Sequence, residues 1–265
     1  MSTSPIYSIA SVPPPHRDTS LSSVLKALEL LCCFTTERPD WGVTELAVYL
    51  GMSKSAVHRI LATCEQFKFI ERTEDRRYRL GLRILELGNV YRFDHRVLTG
   101  AECALRRLSD STKSLAHLAE LDGREIVELM HVYSTGCTRF NQVPILRASA
   151  HATATGKVLL ANCAPAVLDH ILGKQQKLKR YTPYTIVDPQ LLREELKEVA
   201  AQGWAFSNQE STMGCCCIAV PLRNRMGVVV AAISISNTRD IFDGPSIAKY
   251  LGRLFLTAES IGRDF

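Results

Sequence analysis

The stretch "VTELAVYLGMSKSAVHRILATC", Val43 to Cys64, limits what this chain can fold into more than any other. Leu46, Leu50, Met52, Val57 and Ile60 are apolar where two short helices must pack on each other, Ala47 is small where they cross, and Gly51 falls at the tight turn between them. Glycine suits that turn because it tolerates positive φ. Thr44 and Ser53 are the expected N-caps, each with a hydroxyl able to accept from a free backbone N–H. With Val57, Ile60, Leu61 and Cys64 turned inward, the second helix leaves Lys54, Ser55, His58 and Arg59 on its opposite face, a set suited to base edges and phosphates in a major groove. The spacing predicts a helix-turn-helix.

Its surroundings strengthen that reading. The following "FKFIERTEDRRYRLG" reads as two short strands, Phe69 to Arg72 and Arg77 to Leu80, joined by a polar turn, which makes the unit a winged helix. Between Ser53 and Arg83 eight Lys/Arg face four acids, so this segment holds nearly all of the chain's net charge of +5. A basic cluster alone reads as a solvated face; on this scaffold it reads as a phosphate-binding surface. Arg76, Arg77 and Arg79 on the wing are expected at phosphates rather than at bases, since half or more of protein–DNA hydrogen bonds go to the backbone. Before the motif, "SLSSVLKALELLCCF" carries apolar residues at Leu21, Val24, Leu25, Leu28, Leu31 and Cys32, the stripe of an amphipathic helix. Residues 1–20, with "SVPPPHRD", read as a flexible arm.

The chain of 265 residues is long enough for two domains. Residues 21–81 form the expected DNA-binding domain. "LGLRILELGNVYRFDHRVL" then resumes helical spacing with Leu82, Leu85, Leu87 and Tyr91, and 82–98 is read as a linker helix that packs on a second copy of itself. The other reading folds that helix back on its own domain. A dimer is what such DNA binding needs, because two recognition helices one duplex turn apart read a pseudo-palindromic double-stranded operator. The start of the chain lacks a secretory signal and there is no run of about 18 apolar residues, so a cytoplasmic location with no membrane partner is expected.

Residues 99–265 change texture. "AECALRRLSDST" is helical, and "SLAHLAELDGREIVELMHVY" reads as a hairpin turning at Asp122-Gly123. Helices are expected from about Thr155 to Cys163, over Pro165 to Leu172, over "PQLLREELKEVAAQG" between Pro189 and Gly203, and from about Pro245 to Ile261. "CCCIAVPL" and "GVVVAAISIS" read as strands around a turn at Asn224 to Gly227. The fold class is α+β with an antiparallel sheet.

In order and spacing, "TELAVYLGMSKSAVHRIL", "YRLGLRILELG", "HATATGKVLLA", "GCCCIAVPL" and "VVAAISIS" resemble the IclR family of bacterial transcription regulators, over about Leu21 to Ile261. The resemblance implies a GAF-like effector-binding domain, homodimers that often pair into tetramers, and repression or activation tuned by a small-molecule effector, commonly a carboxylate or an aromatic acid. It implies no enzyme activity, catalytic residue, cofactor or metal. Carried over by position, Ala154 and Thr155 match a pair whose backbone amides face the ligand at a helix start, which favours an anion. Cys217 matches the pocket cysteine, and Ser234 and Ser236 match two serines that strand alternation places on one face. Ser207 stands where some members carry an acid, and Thr155 departs from the small residue often found at its place. Arg139 and Arg147, before "HATATGK", could pair a ligand carboxylate or make surface salt bridges.

The run "GCCCIAVP" asks for metal or redox chemistry, but the nine cysteines never fall as Cys-x-x-Cys. On a strand Cys215 and Cys217 share a face and Cys216 takes the other, so the three cannot converge on one ion. Cys217 is expected to line the pocket, Cys215 to lie near its rim and Cys216 to pack against a helix, all as reduced thiols. Two alternatives remain at this stage. One is a thiol- or metal-responsive regulator. The other is an enzyme acting on a small acid with Cys217 as nucleophile and a base among His117, His131, His151 and His170.

Overall fold

The structure, a computed structural model, describes residues 22–94, 96–134, 147–173, 177–242 and 244–263. The expected arm over 1–20 and Arg139 lie outside the described residues. The chain divides into two compact units, one ending at Tyr91 and one starting at Arg92.

The first unit begins with α1 (Ser22–Leu31), whose apolar stripe is covered only at its C-terminal end. Leu30 is buried there, whereas Val24 and Leu28 remain exposed. The expected burial along the whole stripe does not occur within one chain, because α1 meets α3 only near its end. A two-residue strand, β1 (Asp40–Trp41), follows; no periodicity can betray so short an element. Buried Trp41 donates its indole N–H to the Cys33 carbonyl at 2.9 Å and lies under the Arg38 guanidinium.

Then come α2 (Val43–Tyr49) and α3 (Lys54–Gln66), joined at Gly51 with φ of 63°. Leu46, Ala47, Val57 and Leu61 are buried between them with Ile70 and Tyr78 of the wing. Thr44 is not the N-cap of α2. Gly42 holds that place, its N–H donating to the Glu45 carboxylate at 3.2 Å, and Thr44 sits inside the first turn. The carboxylate is available for that task because Arg38 and Arg77 pin it nearby. Ser53 caps α3 as expected, accepting from Ala56 N–H at 3.2 Å. Strands β2 (Ile70–Arg72) and β3 (Tyr78–Leu80) form the wing, and β3 also pairs with β1, giving the order β1-β3-β2. Helix α4 (Leu82–Asp94) leaves Leu82, Leu85, Leu87, Val90 and Tyr91 exposed within the single chain.

The second unit is a six-stranded antiparallel sheet with helices on both faces. Helix α5 (Arg96–Thr112) leads into β4 (Leu115–Asp122) and β5 (Glu125–Val132). Their loop is Gly123-Arg124, one residue later than expected, with Gly123 at φ of 60°; glycine first in a two-residue loop matches a type II′ turn. After β6 (Arg147–Ser149) and a short 3₁₀ turn (Ala150–Ala152) come α6 (Ala154–Ala161), α7 (Pro165–Leu172) and α8 (Pro189–Gln202). Gly203 ends α8 in the left-handed conformation, as its place after the last apolar residue predicts. Strands β7 (Ala205–Asn208), β8 (Cys216–Arg223) and β9 (Val229–Asn237) and helix α9 (Gly244–Gly262) complete it. The strand order is β6-β5-β4-β9-β8-β7.

Alternation assigns each strand residue to a layer. Cys216, Ile218, Val220, Ile233 and Ile235 pack with Leu105, Leu108, Leu254 and Ala258 of α5 and α9. On the other face Ala219 and Ala232 pack with Val158 of α6 and Leu192 and Leu196 of α8. No described helix is long and apolar enough to cross a membrane.

Candidate functional site

Two chemically distinct surfaces stand out, one in each unit. On α3 the cap at Ser53 turns the chain so that Lys54, Ser55, His58 and Arg59 are exposed along one side, while Val57 and Leu61 are buried on the other. Ser53 and Ser55 hydroxyls lie 3.1 Å apart at the start of that helix. Lys54, Arg59 and Arg76 take part in no ion pair among the described residues. Arg76 sits at the wing turn with φ of 58°.

The other two wing arginines are differently employed. Arg77 pairs with Asp40 and, at 2.9 Å, with Glu45, joining β3 to β1 and α2. Arg79 pairs with Glu71 across the hairpin. These are therefore bracing contacts in the free protein, and the phosphate role expected of them competes with carboxylates already in place. The hydrogen bonds from Arg77, Gly42 and Arg38 hold the Glu45 carboxyl down to about 2.

In the second unit the six residues carried over from the resemblance converge. Ser207, Cys217 and Ser236 sit in register across β7, β8 and β9, and Ser234 lies two residues along on the same face. Over them comes the start of α6. Thr153 accepts from Gly156 N–H at 3.1 Å, so the amides of Ala154 and Thr155, the first two of the helix, have no partner within it. Thr155 Oγ1 donates to Ser234 Oγ at 3.1 Å, and Ser207 Oγ donates to the Ala152 carbonyl at 3.3 Å. Free N–H groups, a helix dipole and small hydroxyls in one buried place make an anion-accepting site.

The cysteines fall on the expected faces: Cys216 is buried against α5 and α9, and Cys217 faces the α6 side with Ser236 2.8 Å away. Cys215 Sγ is 3.9 Å from Cys217 Sγ. The neighbouring Cys215 sulfur, and then burial, push the Cys217 thiol well above its ordinary range. A thiol so disfavoured as thiolate is a poor nucleophile and a poor soft-metal ligand. Every described cysteine is a free thiol, and among the described residues no three His, Cys, Asp or Glu converge as a metal set.

Of the four histidines, His151 is buried and bonded through Nε2 to the Lys179 carbonyl at 2.9 Å, with burial lowering its pKa, and His170 is exposed on α7. His117 alone approaches the cysteine, and only through Ser236: His117 Nε2 lies 3.0 Å from Ser236 Oγ. Its Nδ1 is 2.9 Å from Glu128 Oε2, and His131 Nδ1 is 2.8 Å from Glu128 Oε1. Oε1 nevertheless has no hydrogen bond of good geometry among the described residues. Glu128 and His131, three apart, would face opposite ways on a regular strand. The β-bulge where β5 passes Leu118/Ala119 brings both to the same side.

A second group that sequence reasoning missed is the fully buried Lys157, whose Nζ lies 2.6 Å from both Glu195 and Glu210. It ties α6 to α8 and to the segment that leads into β8. Burial raises the Glu210 carboxyl, against the pull of Lys157. Thr182 and Thr185 donate to the Gln209 and Glu210 carbonyls at 2.7 Å each, anchoring the same segment. The glycine-lysine pair inside "HATATGK" was the available signal, but nothing in it names the two acids. Arg147 pairs with Asp122 at 2.6 Å, the surface salt bridge rather than a ligand contact.

Residues 92–263 match the family model described as "Bacterial transcriptional regulator IclR C-terminal", and residues 23–74 match "IclR helix-turn-helix domain". The HTH-type transcriptional regulator KdgR of Dickeya chrysanthemi is 35% identical over 91% of this chain and 79% of its own length. XynR of Escherichia coli (strain K12), also an HTH-type transcriptional regulator, is 30% identical over 88% of this chain and 93% of its own length. Among solved structures, an IclR homologue complexed with 4-hydroxybenzoate from Microbacterium hydrocarbonoxydans superposes with a TM-score of 0.81 at 25% identity, covering 92% of this chain and 98% of that one.

Proposed function

Since this chain belongs to the IclR family of bacterial transcriptional regulators, we propose that its hold on a pseudo-palindromic operator is controlled by a small organic or aromatic acid bound between α6 and the inner face of β7, β8 and β9. The observation that carries this reading is the meeting of the unpaired Ala154 and Thr155 amides with the buried hydroxyls of Ser207, Ser234 and Ser236. The 4-hydroxybenzoate held by the Microbacterium homologue supports an acid as the ligand class. The recognition helix acts through Ser53, Lys54, Ser55, His58 and Arg59, with Thr44 and Arg76 at phosphates, while Arg77 and Arg79 brace the wing through their carboxylate partners. Two copies join through the exposed apolar residues of α4, as a dimer or as a pair of dimers, and the protein works in the cytoplasm on its operator DNA.

The alternatives are less well supported. A thiol- or metal-responsive regulator needs an accessible thiolate, and Cys217 is only partly exposed, with the Cys215 sulfur and desolvation holding its thiol protonated. An enzyme with Cys217 as nucleophile needs a base at the sulfur, where Ser236 intervenes. The test is a melting-temperature screen of the full chain against aliphatic and aromatic acids, zinc and peroxide, because a ligand that binds only the folded state raises the melting point. The expected result is a rise with an acid that is lost in Ser234→Ala. A response to zinc or peroxide alone overturns the reading.

A further inference from the structure

Helix α9 carries a glycine that its own chain does not explain. Gly156 and Gly262 stand where a Cβ would come within 2.2 Å of a carbonyl oxygen, those of Ala150 and Arg223. Gly252, in the interior of the 19-residue α9, has no neighbour among the described residues within 4 Å of where its Cβ would point. Glycine weakens a helix interior relative to alanine, so its use there calls for a close approach that one chain does not supply. Leu254, Ala258 and Ile261 turn α9 onto the sheet. The opposite side carries Lys249, Gly252, Leu256 and Glu259, at spacings of three, four and three, and all four are exposed, Leu256 by 69%.

That row is complementary to itself when reversed. About a two-fold axis level with Leu254, Leu256 enters the hollow over Gly252 of an antiparallel second α9, and Lys249 meets its Glu259, each contact occurring twice. Lys249 takes part in no ion pair among the described residues, and Glu259 holds only the exposed Arg263 one turn further along. Phe255, 40% exposed, comes beside its own copy at one flank. At the other flank Arg253 is drawn aside onto the Ser111 carbonyl of its own α5. We infer that α9 docks antiparallel on α9 of a second copy of this chain, with Leu256 over Gly252 and Lys249 against Glu259. The hollow, the knob that fills it and both charges of the ion pair lie on one face, so a second copy supplies everything the first one lacks. This contact is separate from the one proposed for α4 and does not rest on it. With both in place the assembly rises from two copies to four.

The experiment is sedimentation velocity of the full chain across a concentration series. The native chain is expected to run as a tetramer, the variant with Leu82→Lys and Leu85→Lys as a dimer held by α9, and that variant with Gly252→Leu added as a monomer. Gly252→Leu meets open space within its own chain, so its far-ultraviolet circular dichroism is expected to stay native. In the Leu82→Lys, Leu85→Lys background, Lys249→Glu or Glu259→Lys alone places like charges across the axis and is expected to raise the dimer Kd about tenfold or more. Together they exchange the charges and are expected to restore it to within about threefold, a recovery that damage to the helix does not produce. If the Leu82→Lys, Leu85→Lys variant is a monomer, the inference is overturned while the α4 contact stands; a partner of another kind on α9 gives the same result. If that variant stays dimeric and neither Gly252→Leu nor the charge reversals change its Kd, the inference is overturned as well. If Leu82→Lys with Leu85→Lys leaves the native mass unchanged and Gly252→Leu splits it, the α4 contact falls and the α9 contact stands.

Discussion

Single residues in this protein carry tasks that their type alone does not announce. Lys157 has no exposed side-chain surface and bonds two carboxylates. Its replacement by methionine leaves Glu210 buried without a cation, and breaking one partner out of such a buried group typically costs about 3–5 kcal/mol. A loss of that size in the unfolding free energy of the second unit, obtained from denaturant titration, is expected for Lys157→Met; a change under about 1 kcal/mol contradicts the structural role. Glu45 makes a prediction in pH. Its carboxyl falls from 4.5 to about 2 on folding, so its contribution is complete above pH 4.5 and is lost as pH falls toward 2. Melting of the helix-turn-helix unit is expected to be less acid-sensitive across that window in Glu45→Gln, and an unchanged acid limb counts against the Arg38–Glu45–Arg77 bridge.

Among the elements, α6 depends on a close approach. A Cβ on Gly156 would stand 2.2 Å from the Ala150 carbonyl oxygen, so Gly156→Ala has to push the helix start away from the 3₁₀ turn. The expected result is a loss of about 1–3 kcal/mol in stability together with loss of the acid-induced melting shift. The recognition helix and the wing separate in a salt titration of operator binding. Arg59→Ala or Lys54→Ala is expected to weaken binding and to lower the slope of log affinity against log salt by about one, because each such contact releases a counterion. Arg77→Ala is expected to lower the melting point of the first unit instead, since its guanidinium already braces β1 and α2. The bulged β5 and the two-residue β1 show why local patterns fall short at this scale. Alternation puts Glu128 and His131 on opposite faces, and the bulge cancels it.

At the scale of the whole molecule, the apolar residues of α4 stay exposed in one chain. Leu82→Lys with Leu85→Lys is expected to reduce the mass seen by light scattering and to weaken operator binding without lowering the stability of the second unit. The helix-turn-helix, the long strands β4, β5, β8 and β9 and the helix ends at Pro189 and Gly203 were legible because periodicity and end chemistry are local, whereas the short edge strands β6 and β7 carry too few residues to show alternation. So was the facing of the three adjacent cysteines, since alternation along β8 needs no partner to be specified. Tertiary structure alone decided that Gly42 and Glu45, not Thr44, start α2, that Arg77 is bound to acids 37 and 32 residues away, and that Lys157 meets Glu195 and Glu210. It alone lined up Glu128, His117 and Ser236. Repeating spacing records which face of an element is buried. It does not record which polar groups on distant elements are brought within hydrogen-bond reach once those faces close.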